Sequence, residues 1–124
     1  MGQEFLIDTN TVIDYLGSRL PEKGLSFMDN IMPEISVITR IELLGWFQAP
    51  SDELQKLNSF VEEALIFALD EHVILKTIEL RQGYRLKTPD AIIAATALIN
   101  NISLITRNTA DFKNIEGLVV INTT

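Results

Sequence analysis

The sequence of 124 residues predicts a single α/β domain, with a mainly parallel sheet covered by helices on both faces. Three observations predict it. Short apolar runs bounded by polar or breaker residues recur along the chain. Between them lie segments whose apolar residues return at helical spacing. The two kinds of segment alternate, as in strand–helix–strand units with parallel strands.

Phe5–Asp8 reads as the first strand. Thr9 or Asn10 caps a helix that runs through Leu16, and Gly17 stands where it would stop. A second helix covers Glu22–Ile31, ended by Pro33. Glu34–Ile38 reads as the second strand. Thr39 is placed to cap a strongly apolar helix, Ile41–Phe47, which Pro50 ends. Ser51-Asp52-Glu53 opens the next helix, with Leu54, Leu57, Phe60, Val61, Ala64 and Leu65 at helical spacing. Ile66–Leu69 is a short strand and Glu71–Leu86 is helical by period. Thr88-Pro89-Asp90 starts a helix rich in small residues through Asn100, with Thr88 as N-cap and Pro89 at the first helical position. A strand at Ser103–Thr106, a helical turn at Asn108–Phe112 and a strand at Leu118–Ile121 complete the chain. The pair Trp46-Phe47 reads as core.

Composition narrows the chemistry. Hydrophobic residues make up 47%, which suits a packed domain and not a disordered chain. There is no Cys, so disulfides and thiolate chemistry are excluded. The single His72 excludes a histidine-rich metal site. Met1-Gly2-Gln3-Glu4 leads directly into the first strand, and the apolar run Ala91–Ile99 is too short to span a bilayer. A cytoplasmic protein with no membrane contact is therefore expected. The net charge of −7 argues against nucleic-acid binding when taken alone.

Three Asp residues share a local context. Asp8 ends the first strand, Asp90 opens a helix, and Asp111 follows the strand Ser103–Thr106 after a short turn. Sites in open α/β sheets form beyond the carboxyl ends of the strands, and the positive end of a helix keeps a nearby carboxylate ionised. Glu42 is the fourth acid, in a helix apolar nearly all round, where a carboxylate needs a partner or a cation. Taken singly, Asp8 is also explained as a turn residue and Asp90 and Asp111 as helix-start acids.

Four pieces occur together: Ile7-Asp8-Thr9-Asn10, Arg40-Ile41-Glu42-Leu43, Pro89-Asp90-Ala91-Ile92-Ile93-Ala94-Ala95-Thr96-Ala97, and Leu104-Ile105-Thr106-Arg107-Asn108 with Asp111-Phe112. In this order they resemble the PIN-domain nucleases, most closely the short VapC-type toxins of bacterial and archaeal toxin–antitoxin pairs. The resemblance covers nearly the whole chain. It implies a three-layer α/β/α fold, a Mg²⁺ or Mn²⁺ site and cleavage of single-stranded RNA. Carried over by position, Asp8, Glu42, Asp90 and Asp111 are the acidic catalytic and metal site. Thr106 and Asn10 are supporting polar residues. Asn108 is a third, although capping of its turn explains it equally well. The implied partners are RNA and a cognate antitoxin that is a small DNA-binding protein, and for the antitoxin Trp46-Phe47 is a candidate groove for a partner helix. A homodimer is expected as well; the Leu54–Leu65 stripe reads as core, with a homodimer face as the alternative. The chemistry agrees, since hard divalent cations take oxygen ligands and can activate water against a phosphodiester.

The bases bear on the charge objection. Arg40, Arg85, Lys87, Arg107 and Lys113 all lie within five positions of one of the four acids. Local potential over a cleft can oppose net charge, so Arg40, Arg85, Lys87 and Arg107 are candidate RNA contacts; ordinary solvated side chains are the alternative. Other functional classes stay open. A non-toxin PIN nuclease shares all these residues. A phosphate-handling receiver or phosphatase-like domain suits the size, but Asn10 replaces the second acid of an Asp-x-Asp nucleophile motif, and Arg107 stands where a receiver has Lys. A non-catalytic binding module would use the acids only as caps.

Overall fold

The computed structural model describes residues 4–124, so the direct lead of Met1–Gln3 into the first strand lies outside the described residues. The chain order is β1 (Phe5–Ile7), α1 (Thr9–Leu16), α2 (Glu22–Asp29), β2 (Glu34–Ser36), α3 (Val37–Leu44), α4 (Ser51–Glu63), β3 (Leu65–Phe67), α5 (Glu71–Gly83), α6 (Thr88–Asn100), β4 (Ser103–Ile105), α7 (Thr109–Phe112) and β5 (Val120–Ile121). Every strand pairing among the described residues is parallel. β4 lies between β1 and β5, and β2 pairs with β3. β1 and β2 also run side by side. The expected parallel sheet between helices is therefore present.

Side-chain alternation builds the three layers. Phe5 and Ile7 of β1 and Ile105 of β4 point into one core, with Val12 of α1, Met28 of α2, Leu43 of α3 and Leu57 and Val61 of α4. Leu6 and Leu104, one residue out of phase, point into the other core, with Val73 and Leu80 of α5, the small residues of α6 and Phe112 of α7. Strands buried on both faces need apolar residues throughout, which explains runs such as Phe5-Leu6-Ile7. α6 is the most enclosed helix: Ala91, Ile92, Ile93, Ala94, Ala95, Thr96 and Ala97 are all buried. Its alanines let it approach α5 and the sheet closely. The Thr96 hydroxyl is satisfied inside the helix, on the carbonyl of Ile92 at 2.7 Å.

Several boundaries differ from the sequence reading, each for a local reason. Asp8 itself caps α1, its carboxylate accepting from the Thr9 amide at 2.8 Å, so neither Thr9 nor Asn10 is the cap. Gly17 does end α1, but the left-handed residue is Ser18, with φ 58°. The strand expected over Glu34–Ile38 stops at Ser36, because the Ser36 hydroxyl accepts from the Ile38 amide and starts α3 there. Thr39 therefore lies buried inside the helix and is not its cap. α3 ends at Leu44, so Phe47 is not core: it is 85% exposed, while Trp46 packs against the α1–α4 side. α6 is capped by Lys87, one residue earlier than Thr88, and carries Pro89 in its first turn. Among the described residues no helix is long and apolar enough to cross a membrane.

The C-terminal segment is held against α2 by a missing side chain. A Cβ on Gly24 would meet the Thr123 carbonyl oxygen at 2.0 Å, and that obstacle is backbone. Gly24→Ala should therefore destabilise the fold by roughly 1–3 kcal/mol, as other overpacked sites do. Urea unfolding checks this; an unchanged midpoint would mean that the segment is free to lift away.

Candidate active site

The strands pair in parallel within both sheets, and residues that follow β1, β2 and β4 line one cleft, where the acids collect. Asp8 follows β1 and is 6% exposed. Its Oδ1 accepts from the Thr9 amide and its Oδ2 from the Thr106 hydroxyl at 2.7 Å. Thr106 follows β4, is fully buried, and also accepts from the Asn108 amide at 3.0 Å. Glu42 projects from α3 and is exposed, and its Oε1 accepts from the Thr9 hydroxyl at 2.5 Å. The Thr9 and Thr39 hydroxyls are 3.1 Å apart. Thr9 has one hydroxyl proton and a carboxylate can only accept, so Thr39 donates to Thr9 and Thr9 to Glu42. Asp90 is half-buried in the first turn of α6. Asp111 is exposed in α7, and its Oδ2 accepts from the Asn108 side-chain amide at 2.8 Å. Asn108 makes no side-chain cap bond, so holding Asp111 is its observed role.

The four acids face one cleft of about 360 Å³, lined also by Thr9, Asn10, Lys87, Pro89 and Asn108. A larger groove of about 610 Å³ runs along α1 and α4, but none of the four acids lines it. Burial is the main cause that pushes the Asp8 carboxyl up from its usual range, and Glu42 adds to it; Thr106, Thr9 and Arg107 oppose. Asp90 is also pushed up, first by burial and then by repulsion from Asp8, Asp111 and Glu42, with Lys87 opposing. Asp90 thus feels the other three carboxylates across the cleft, and Asp8 feels Glu42.

Among the described residues no group of three or more Asp, Glu, His or Cys side chains is set closely enough to hold a metal ion as it stands. The donor set still fits a hard cation. All the donors are oxygens, they repel one another, and Asp8 keeps free lone pairs beyond its two hydrogen bonds.

Of the expected bases, Lys87 lines the cleft, whereas Arg40 and Arg85 are exposed but not part of its lining. The Arg107 guanidinium is bonded to Asp14, at 2.8 and 3.0 Å from its two carboxylate oxygens. Sequence reasoning missed Thr9, Thr39 and Asp14. Thr9 lies within the Asp-Thr-Asn piece and could have been found there. Asp14 pairs with a residue 93 positions away and carries no local signal.

Residues 5–118 match the PIN domain, and the chain belongs to that family. Among its relatives, Ribonuclease VapC1 of Methanocaldococcus jannaschii is 31% identical over 119 residues, covering 91% of this chain and 82% of that protein. Two solved structures share the fold over almost the whole chain. A chain of a toxin–antitoxin complex from Klebsiella pneumoniae has 34% identity and a TM-score of 0.78, with 98% of each chain covered. A chain of DNA-bound VapBC from Salmonella typhimurium has 25% identity and a TM-score of 0.82, covering 99% of this chain and 100% of that one.

The raised Asp90 carboxyl has a measurable consequence. A folded-state pKa above the unfolded value gives stability that is present below the unfolded pKa and lost as pH rises through the folded one. Without metal, rising pH from about 3.8 should therefore cost stability at Asp8 and Asp90. Glu34, buried at the start of β2 and pushed up by burial and by Glu4, contributes in the same direction. Comparing wild type with Asp90→Asn isolates the cleft. The variant should melt higher than wild type near pH 7 in EDTA, and the difference should shrink toward pH 3.5. Parallel melting curves across that range would show that Asp90 is not repelled.

Proposed function

We propose that this chain is a divalent-metal-dependent endoribonuclease and the toxin of a toxin–antitoxin pair. One observation carries the reading: four carboxylates from four separate elements surround a single cleft beyond the strand ends, and three of them push the carboxyl of Asp90 up. The 31% identity to a VapC ribonuclease supports it.

Asp8, Glu42, Asp90 and Asp111 would hold Mg²⁺ or Mn²⁺. When bound, such a cation lowers the pKa of water and offsets charge on a phosphodiester in-line displacement. The chain's own residues do the rest. Thr106 fixes Asp8, Thr9 orients Glu42 and Asn108 orients Asp111. Asn10 lines the cleft as a further polar contact. Lys87 would meet an RNA phosphate at the cleft wall, with Arg40 and Arg85 exposed to contact the strand beyond it.

Partners belong to the same proposal. Ile41 and Phe47, 61% and 85% exposed, flank Glu42 in sequence and would receive apolar anchors of an antitoxin that covers the cleft. Leu75 and Ile78, 57% and 50% exposed on α5, would suit a homodimer. A cytoplasmic site of action follows from the proposed RNA target.

Asp8→Asn and Asp90→Asn should each abolish Mg²⁺-dependent cleavage of single-stranded RNA while the circular dichroism spectrum is kept. Full activity in either variant, with EDTA still inhibiting wild type, would remove that residue from the site. Millimolar Mg²⁺ should also raise the melting temperature of wild type and not of Asp8→Asn.

Expression of the chain alone should slow bacterial growth, and co-expression of an adjacent small gene should relieve it through a stable complex. Harmless accumulation with intact RNA and no co-purifying protein would leave a non-toxin PIN nuclease.

A further inference from the structure

We infer that Asp14 is a positioning residue for the acidic cleft and acts through Arg107. The kinetic part of this inference rests on the nuclease reading; the geometric part does not.

Asp14 lies on α1, is 5% exposed and does not line the cleft. Its two oxygens accept from Nη1 of Arg107 at 3.0 and 2.8 Å. Arg107 stands between Thr106, which holds Asp8, and Asn108, which holds Asp111. The contacts close a ring. Asp8 is joined to Thr106 by a hydrogen bond, Thr106 to Arg107 by the chain, Arg107 to Asp14 by the ion pair, and Asp14 back to Asp8 along α1.

The loop after β4 leaves the sheet at Thr106, which is held by Asp8 and by the Ile121 carbonyl and in turn accepts from the Asn108 amide. Phe112, fully buried, anchors the far end. The ion pair adds a side-chain tie between these ends, at Arg107, against a helix that begins at Asp8, and through it Asp14 would help set the separation of Asp111 from Asp8. The pair also serves the fold, because the Asp14 side chain is only 8% exposed and needs a partner, while that of Arg107 is 49% exposed; the test must therefore separate positioning from stability. Its charge serves the site in another way as well, since Arg107 favours the ionised form of Asp8.

The test compares wild type with Arg107→Lys and with the double variant Asp14→Ala/Arg107→Ala, which removes the pair without stranding a buried charge. The double variant should lose roughly 10- to 100-fold in kcat on single-stranded RNA, with KM within about twofold. Arg107→Lys keeps the charge and one donor and should recover at least half of that loss on a logarithmic scale. Calorimetric titration with Mn²⁺ alone should show weaker binding in the double variant. Hydrogen exchange should show the Asn108 amide exchanging about tenfold faster, with α6 and β4 unchanged. A raised KM with kcat intact would make Arg107 an RNA contact and overturn the inference. So would a lowered melting temperature with wild-type kcat, Mn²⁺ affinity and Asn108 protection. If wild type cleaves no RNA, the nuclease reading fails, and Mn²⁺ binding and Asn108 exchange still decide the role of Asp14.

Discussion

The hydrogen bond between Thr106 and Asp8 is the contact on which the site depends. It joins the ends of two neighbouring strands, β1 and β4, and ties together chain positions 98 residues apart. Asp8 is buried, so its charge is tolerated only because both oxygens are held, one by Thr106 and one by the first amide of α1. The same two bonds fix its direction. A carboxylate with this little freedom can serve as the reference point for three others that have more.

Those three are held with decreasing firmness. Asp90 rides on the buried helix α6. Glu42 is exposed and is steadied by the hydroxyl relay from Thr39 through Thr9. Asp111 sits on the shortest helix and depends on Asn108. The cleft therefore has a more buried wall, β1 with α6, and a more exposed one, α3 with the β4–α7 loop. That division suits a site whose acids repel one another until a cation is present: the firm residues set the geometry and the others can close on it.

Much of this was legible in the sequence because it is written locally. An apolar run that stops at Asp8, and Pro89 followed by Asp90, are strand-end and helix-start signals that need no knowledge of the fold. The alternation of such segments gave the parallel sheet. What the sequence hid was of two kinds. Val37 and Ile38 are β-branched and read as strand, yet Ser36 caps them into α3 and Thr39 falls inside the helix; at its other end α3 stops at Leu44, and Phe47 beyond it is exposed. The other kind is long-range. Asp14 looks like any polar residue on a helix, and only the folded chain brings Arg107 to it. Arg107 is a candidate RNA contact by its place in the sequence, and the fold adds a bond from its guanidinium to Asp14 that the sequence does not signal.

The enclosure of α6 has a consequence for how this protein can vary. A helix with one wet face has positions where sequence can drift without effect. From Ala91 to Ala97 this one has none, since seven successive residues are walled in on every side. Anything larger than an alanine there presses on α5, α3 or the sheet, and the helix under that pressure carries Asp90 in its first turn. The smallness of these side chains thus acts as a tolerance specification for the seat of one of the acids.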